Sequence, residues 1–496
     1  MRRALPIIAI AILLGAALRA EEALYAGLTD RELAIQRWFS QLTFLSDRKA
    51  AAWEGWNDDG RQKDITAFRY QIAFCGYGCA AMAAKTPAYT QVIGAQLLDL
   101  CERIIDARCW PYVTDYWKYG GGPPDPCRYE NVMYTGHLAQ LMLLYELMTG
   151  DMRYSKEGWD FVWTDGRKTH YDLDLAVRRM HVQSVETPCG GICCEPNSIF
   201  ADCNNHSSNA YLLHDLLHGT EYSKVNQKWF DWMSKNFRRN KPGSPEFLYV
   251  IYLKNQNVFL PLSDVGADGW ALGWGYPWFP DTGFAVEGWR YLLKNAKWGA
   301  PKPDQAFAHN NKVVACCGGS TLPVANSFLP LVAMQAGDEK NARKILNWLE
   351  AECGRSLDAD GDGHAESYCY HTCNAHRIPA TGNISAALST RGDSMRRLYR
   401  TRRDDVLKSP RVSRVDYPKV LVRSAEFRAP KLRFAVLKGA PSFNGVTKIV
   451  CGNIPDNAEV AVTRDGQLYA DAERKGTTLI IRTDVEQERV FEVTVR

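Results

Sequence analysis

Glu130-Asn131-Val132-Met133-Tyr134-Thr135-Gly136-His137-Leu138-Ala139-Gln140-Leu141-Met142-Leu143-Leu144-Tyr145-Glu146-Leu147-Met148-Thr149 is the stretch from which the fold is read. Its apolar residues recur at a spacing near 3.6, which predicts a helix over residues 130–149. Leu138, Leu141, Met142, Leu143 and Leu144 make that helix strongly apolar. Met133 and His137 stand four apart and share a face. His137 therefore interrupts an inward stripe, where a histidine is either a satisfied core residue or a functional one.

The same spacing recurs on both sides of this stretch. It predicts helices at residues 32–45, 65–84, 90–107, 171–185, 209–217, 224–237, 282–293, 322–336, 339–352 and 380–399, so the chain carries about a dozen helices. Long loops rich in Gly, Pro, Asn and Trp join them, such as residues 118–128 and 262–281. There is no strand–helix alternation and no Gly-rich phosphate loop. The expected fold is mainly α, with paired helices arranged as a toroid, the (α/α)6 barrel. A helical solenoid is the other reading. Beyond Lys408 the pattern changes. Pro410, Pro418 and Pro430 punctuate short β-rich runs at 419–422, 432–437, 447–450, 459–462, 479–481 and 490–495. Asp465-Gly466 is a hairpin signal. Residues 406–496 are expected to form an all-β, sandwich-like accessory domain behind a helical domain over residues 21–405.

Composition sets the outer limits. The chain has 496 residues, 46% of them hydrophobic and 23% charged. That excludes intrinsic disorder, a collagen-like fibre and a polytopic membrane protein. A net charge of +4 at this length argues against nucleic acid as the main partner. Arg2 and Arg3 precede a short apolar run, residues 5–18, that ends near Ala20. The run falls short of a span of about 20 residues. Residues 1–20 are read as a secretory signal, the mature chain as exported and without a transmembrane span. The 15 cysteines are odd in number, so at least one is free or pairs outside the chain.

The chemistry-bearing residues cluster most densely at Cys189-Gly-Gly-Ile-Cys193-Cys194-Glu195-Pro196-Asn197-Ser198-Ile199-Phe200-Ala201-Asp202-Cys203-Asn204-Asn205. The Gly pair and Pro196 make most of it a loop. Asn204, Asn205 and Ser207 are capping types ahead of a helix expected near Asn209. Cys203 would then lie by a helix N-terminus, whose dipole lowers a thiol's pKa. Cys194 and Cys203 are read either as two thiols facing one pocket or as structural cysteines. Tyr70 is the same kind of case, with core packing as the default. Trp270, Trp274, Tyr276, Trp278 and Phe279 form a Gly/Pro-broken aromatic loop that either lines an apolar pocket or packs on itself. Asp358–Glu366 reads as half a calcium loop, but Cys369 stands where a bidentate Glu belongs. Cys369, His371, Cys373 and His376 suit zinc by type but match no standard spacing. No metal is expected.

Taken together these residues resemble the linalool dehydratase/isomerase family. The resemblance is carried by Phe68-Arg-Tyr70-Gln-Ile-Ala-Phe, by Glu130-Asn-Val-Met133-Tyr-Thr-Gly-His137, and by Cys194-Glu-Pro-Asn-Ser-Ile-Phe-Ala-Asp-Cys203-Asn. It covers roughly residues 30–400 and leaves out the β-rich tail. It implies an (α/α)6 barrel, exported to the periplasm and assembled as a homo-oligomeric ring. It implies a cofactor-free site that dehydrates or isomerises an allylic terpenoid alcohol. Carried onto matching positions, the catalytic residues are Cys194, Cys203, His137 and Tyr70. Met133 joins them from the same match, and Trp270, Trp274 and Tyr276, read from the aromatic loop itself, are expected to bind the substrate beside it. The family also brings an Asp and a Tyr from a neighbouring subunit. In this chain the matching stretch offers Asp47, Asp58 and Asp59 but no Tyr, and Trp53 or Trp56 takes the aromatic place.

The residue types suit that chemistry. Losing water from such an alcohol needs an acid for the departing hydroxyl and a base for a carbon-bound proton. A cationic intermediate must be kept from water. The expected partner is a small apolar alcohol or alkene. A carbohydrate-active (α/α)6 enzyme is the rival reading, with Glu195, Asp202 or Glu287 as its carboxylates. The non-enzymatic rival is an exported scaffold whose cysteines are disulfides.

Overall fold

A computed structural model describes residues 27–46, 53, 55–56, 67–113, 125–163, 165–239, 241, 243–309, 322–353, 355–356, 367–368 and 377–496. The leader at 1–20, Asp47, Asp58, Asp59, the acidic turn at 358–366 and the Cys/His run at 369–376 lie outside the described residues.

The helical part contains α1 (Asp30–Leu42), α2 (Phe68–Ala83), α3 (Gln91–Ile105), α4 (Val132–Thr149), α5 (Leu173–Glu186), α6 (Asn204–His218), α7 (Val225–Asn236), α8 (Val265–Gly273), α9 (Gly283–Asn295), α10 (Leu322–Ser327), α11 (Leu329–Gln335), α12 (Glu339–Cys353) and α13 (Arg377–Ser389). Burial alternates along this series. Every residue of α2, α8 and α11 is buried, and α4 is buried except at its last residue, Thr149. By contrast α3, α5, α7 and α9 bury only one face. A helix apolar all round belongs inside, whereas one with an apolar stripe lies at the surface. Within the buried set α2 packs along α13, α4 along α6 and α8 along α11, while α2 meets α4 and α11 meets α13.

Particular residues set these junctions. Thr29 and Glu32 form a capping box at the start of α1. The Glu32 carboxylate also receives Lys85 Nζ at 2.7 Å and Ser389 Oγ at 2.7 Å. One buried carboxylate thus joins α1, the end of α2 and the end of α13. Gly382 lets α13 lie against α2, since a Cβ there would stand 2.2 Å from the Phe74 carbonyl oxygen. Gly136 does the same for α4 and α6, where a Cβ would meet the Ser207 backbone nitrogen at 3.1 Å.

Four expectations need correction. The aromatic loop at 262–281 contains the helix α8. Its glycines lower helix propensity, but Gly266 and Gly269 bring it against Ala325 and Leu329. Asp264 caps it by accepting from Gly266 N at 2.5 Å. The helix expected over 322–336 is two helices, because Pro330 lacks an N–H and crowds the preceding turn, leaving a break at Phe328. The helix expected over 380–399 ends at Ser389, and Gly392, with φ of 47°, begins a turn before a short helix at Ser394–Leu398. α6 begins at Asn204 rather than near Asn209.

A small four-stranded sheet lies among the helices, its strands paired in chain order. Ahead of it stands the hairpin β1 (Trp159–Val162) and β2 (Lys168–Tyr171). The sheet itself comprises β3 (Cys193–Glu195), β4 (Ser198–Phe200), β5 (Ile251–Leu253) and β6 (Val258–Phe259). The first hairpin turns at Pro196-Asn197, with Asn197 at φ of 68°. Proline followed by a positive-φ residue is the requirement of a type II turn. The expected loop is therefore a tight hairpin with Cys194 in its first strand.

The tail forms two antiparallel sheets. One holds Val420–Arg428, Lys431–Lys438, Arg489–Val495, Val460–Arg464 and Gln467–Leu468 in that spatial order. The other holds Arg411–Arg414, Val446–Gly452, Thr478–Asp484 and Ala472–Lys475. Asp465 and Gly466 connect paired strands with φ of 53° and 82°, as the hairpin signal required. Val422, Phe434, Ile449, Ile481 and Phe491 belong to the tail's apolar core, and Ala88, Tyr89 and Val92 from the α2–α3 junction belong to it too. Backbone bonds join the two parts: Ala88 N donates to Ala425 O at 2.9 Å and Leu28 N to Arg423 O at 2.7 Å.

Candidate active site

Two groups of polar side chains stand on either side of Arg69, Tyr70 and Met133. The first is the thiol pair. Cys194 is held by β3, and Cys203 stands at the N-cap position of α6 without a side-chain cap bond. Their Sγ atoms are 2.9 Å apart, both are buried, and both are free thiols. Burial pushes the Cys194 thiol up to about 11, even though the bond from Cys203 pulls the other way. Burial raises Cys203 further, reinforced by Cys194 and Asp202. This corrects the expectation of a dipole-lowered Cys203: desolvation outweighs the helix N-terminus, and both groups are neutral thiols near neutral pH. Asp202 accepts the Cys203 N–H on Oδ1 at 2.7 Å, and burial lifts its carboxyl to about 6.

The presumed capping residues anchor the site instead. Asn204 Oδ1 accepts from Ile192 N at 2.7 Å, and its Nδ2 donates to Phe200 O at 2.8 Å. Asn205 Nδ2 donates to Ala271 O at 3.0 Å and Asn209 Nδ2 to Trp274 O at 2.9 Å. They satisfy carbonyls at the end of α8 that have no partner within the helix.

The second group is a pair of imidazoles. His137 on α4 and His206 on α6 lie with ring centroids 3.8 Å apart, and neither is exposed. His206 Nε2 accepts the Trp270 indole N–H at 3.0 Å, so its proton is on Nδ1, which donates to Gln140 Oε1 at 2.8 Å. Gln140 Nε2 then donates to Tyr399 OH at 2.5 Å. His137 Nδ1 meets Tyr77 OH at 2.8 Å, while its Nε2 is buried without a partner. Burial, then His206 and Arg69, hold His137 well below the usual imidazole range. His206 is lowered by burial alone. Tyr70, Phe74 and Trp270 surround the His137 ring at centroid distances of 5.3, 5.6 and 6.4 Å.

Between the two groups, Met133 Sδ accepts from Tyr70 OH and from Arg69 Nη2, both at 3.5 Å. The Arg69 guanidinium lies 4.7 Å from the Tyr70 ring and 4.6 Å from that of Tyr112, and its charge also acts on Cys194. The structure thus gathers Tyr70, Met133, His137 and Trp270 around one aromatic enclosure, with Cys194 reached through Arg69. Among the described residues no hydrogen bond joins either sulfur to His137. Trp274 is fully buried behind His206, with its N–H on Asn383 Oδ1 at 3.1 Å. Tyr276 donates to Asp393 at 2.7 Å and has no ring contact with the enclosure among the described residues. Trp53 lies against Phe68 of its own chain at 4.6 Å and beside Arg103. Glu287, a carboxylate of the rival reading, is bound by Arg238 with Nη2 at 2.7 Å.

Arg69, Tyr77, Tyr112, Gln140, His206 and Tyr399 are additions to the expected site. His206 alone carried a sequence signal, a histidine one turn beyond Cys203. Among the described residues no group of three His, Cys, Asp or Glu side chains is arranged to hold a metal ion. No helix among them is long and apolar enough to cross a membrane.

Fold and site define a mainly helical protein with buried thiols and imidazoles set among aromatic rings, and with a β-rich C-terminal part. The chain belongs to the linalool dehydratase/isomerase family, whose sequence model matches residues 69–380. That span includes the thiol and imidazole groups with Arg69, Tyr70 and Met133, leaves out Trp53 and Tyr399, and stops before the tail. Among solved structures, the chain is similar to the α-1,6-mannanase of Salegentibacter sp. HEL1_6, at 11% identity and a TM-score of 0.45, over 72% of this chain and 99% of that one. It is also similar to a family 76 mannosidase of Bacteroides thetaiotaomicron VPI-5482, at 12% identity and a TM-score of 0.41, over 73% of this chain and 97% of that one.

Proposed function

We propose that the chain is a cofactor-independent lyase/isomerase that dehydrates or isomerises a small, apolar, terpenoid-like allylic alcohol. One observation carries this reading: a neutral imidazole with an unpartnered Nε2 lies against Tyr70, and Arg69, which reaches Met133 and the Tyr70 ring, connects that group to a buried pair of protonated thiols. The protonation states assign the roles. A thiol held near 11 keeps its proton and serves as the acid, so Cys194 protonates the departing hydroxyl. The C–O bond breaks and water leaves. His137, held neutral, accepts a proton from the adjacent carbon at Nε2, and the electron pair of that C–H bond becomes the new double bond. Tyr70 and Trp270 present aromatic faces to the positive charge. Met133 holds the Tyr70 hydroxyl and the Arg69 guanidinium in place.

Family membership and the alternation of buried and half-buried helices support a toroid of six helix pairs, closed where α13 meets α2. Residues 1–20 are proposed as a signal directing the protein to the periplasm, and the assembly as a homo-oligomeric ring to which Asp47 or Trp53 contributes across subunits. Native mass measurement of the mature protein tests the ring: a monomer alone excludes it.

The activity is tested by incubating purified protein with tertiary allylic alcohols and following dienes and rearranged alcohols by gas chromatography. Cys194→Ala and Cys203→Ala are each expected to lower turnover by about 100-fold or more. Undiminished turnover in both variants overturns the reading.

A further inference from the structure

We propose that Glu130 is the positioning residue that sets the two reacting groups at their working separation, by tying the hairpin of Cys194 to the helix of His137. This rests on the lyase/isomerase reading above. Both carboxylate oxygens of Glu130 are engaged by protein partners, so it acts on the reaction only through the groups it places.

The bonds form a bridge. Glu130 stands two residues before α4, the helix that carries Met133 and His137, and is 9% exposed. Its Oε2 accepts the backbone N–H of Asn197 at 3.2 Å, at the turn of the β3–β4 hairpin. Its Oε1 receives Lys254 Nζ, just beyond β5. Its own backbone N–H donates to Gln183 Oε1 on α5 at 2.8 Å. Asn197 completes the connection. Its carbonyl oxygen accepts from Lys254 N at 3.1 Å, and its Oδ1 from Asn255 N at 2.8 Å. One side chain thus joins the start of the imidazole helix, the turn of the thiol hairpin and the strand behind that hairpin.

Two irregularities lie at the ends of the bridge. Glu130 has φ of 48°, a left-handed conformation that a residue with a side chain adopts at a cost. Such a conformation persists where neighbouring bonds hold it, and it gathers at functional sites. Cys194 is the other irregularity. Cys193 pairs with Ile199 and Glu195 with Ser198, so Cys194 is the extra residue of a β-bulge. A bulge re-aims a side chain beside a site.

The bridge answers a need of the reaction. The thiol rides on a short hairpin and the imidazole on a helix, and neither element fixes the other. A misplacement of about 1 Å can cost about 100-fold in rate. A slip of the hairpin register by one residue would send Cys194 to the opposite face. The Glu130–Asn197 bond holds the turn against that slip, and Lys254 holds the strand behind it.

The test uses the full-length protein and the variants Glu130→Gln, Glu130→Asp and Glu130→Ala, with circular dichroism to verify folding. Gln keeps the reach and an acceptor for the Asn197 N–H but loses the charge. Asp keeps the charge and loses the reach. On a tertiary allylic alcohol, kcat should fall about tenfold or more in Glu130→Asp and Glu130→Ala with KM within about twofold, and Glu130→Gln should keep most of the wild-type rate. If the charge of Glu130 acted directly on the thiols, Glu130→Gln would be slower than Glu130→Asp, and that order overturns the proposal. Wild-type kcat in folded Glu130→Ala overturns it too. Where Glu130→Ala does not fold, Glu130→Asp against Glu130→Gln carries the test. A second readout needs no substrate: iodoacetamide labelling of Cys194 against Cys203, read by peptide mass spectrometry. Loosening the hairpin should speed Cys194 several-fold in Glu130→Asp and Glu130→Ala, while Cys203 at the start of α6 stays within about twofold. Equal Cys194 rates in wild type and these variants overturn the proposal. If wild type turns over no alcohol while Cys194 labelling follows this order, the lyase/isomerase reading falls and the positioning by Glu130 stands.

Discussion

Asp202 illustrates how a single residue links stability to chemistry. Its carboxyl is raised to about 6 in the folded chain, above its unfolded value. A raised value means that its contribution to stability is fully present below the unfolded value, near 4, and is lost as pH rises through about 6. About two units correspond to a penalty of about 3 kcal/mol at alkaline pH. Asp202→Asn should therefore be more stable than wild type in urea at about pH 8, by up to about 3 kcal/mol, and nearly equal to it near pH 4. A variant equally destabilised at both pH values would show that the buried charge costs nothing. At this scale the sequence disclosed the nine-residue interval between Cys194 and Cys203 and the Met133–His137 face. It disclosed neither the neighbours that decide protonation nor the second imidazole. Cys203 beside a helix start suggests a lowered thiol, and only the surrounding burial reverses the sign. His206 becomes a close ring neighbour of His137 because Gly136 lets two helices, far apart in sequence, come together.

Helices were legible where their apolar spacing was regular and unbroken. α3, α5, α7, α9 and α12 fall within a few residues of their expected bounds, since amphipathic surface helices carry the clearest period. Errors gathered at the buried helices, where a stripe is absent and small residues replace it. α8 was hidden by its three glycines, and the α10–α11 break by a proline that the surrounding apolar run masks. Glycines at the other buried helix contacts make those elements intolerant of change. Gly382→Ala would drive a methyl group to 2.2 Å from the Phe74 carbonyl oxygen, on a backbone that cannot yield cheaply. It is expected to cost about 3 kcal/mol or more and to reduce soluble yield sharply. Gly136→Ala meets its neighbours at 3.1 to 3.3 Å and should cost about 1 to 2 kcal/mol. Thermal melts of the two variants check the order, and Gly136→Ala melting below Gly382→Ala would contradict this account of the interfaces.

Across the whole molecule, the sequence marked where helix gives way to strand but could not tell whether the tail stands apart. It does not. Tyr89 and Val92 sit in the tail's core, Tyr417 OH lies 2.8 Å from Ser40 Oγ, and Arg37 reaches the Gly439 carbonyl. Cutting the chain after Lys408 should therefore lower the melting temperature of the helical part and promote aggregation, because Ala88, Tyr89 and Val92 lose their cover. A truncated chain as soluble and as heat-resistant as the full one would show the contact to be incidental. The clasp also dictates an order of assembly. Leu28 is bound by Arg423, and the connector at 88–92 is seated among strands that end at Val495. The earliest-made helices thus gain their full set of contacts only once the last strand of the chain has been made.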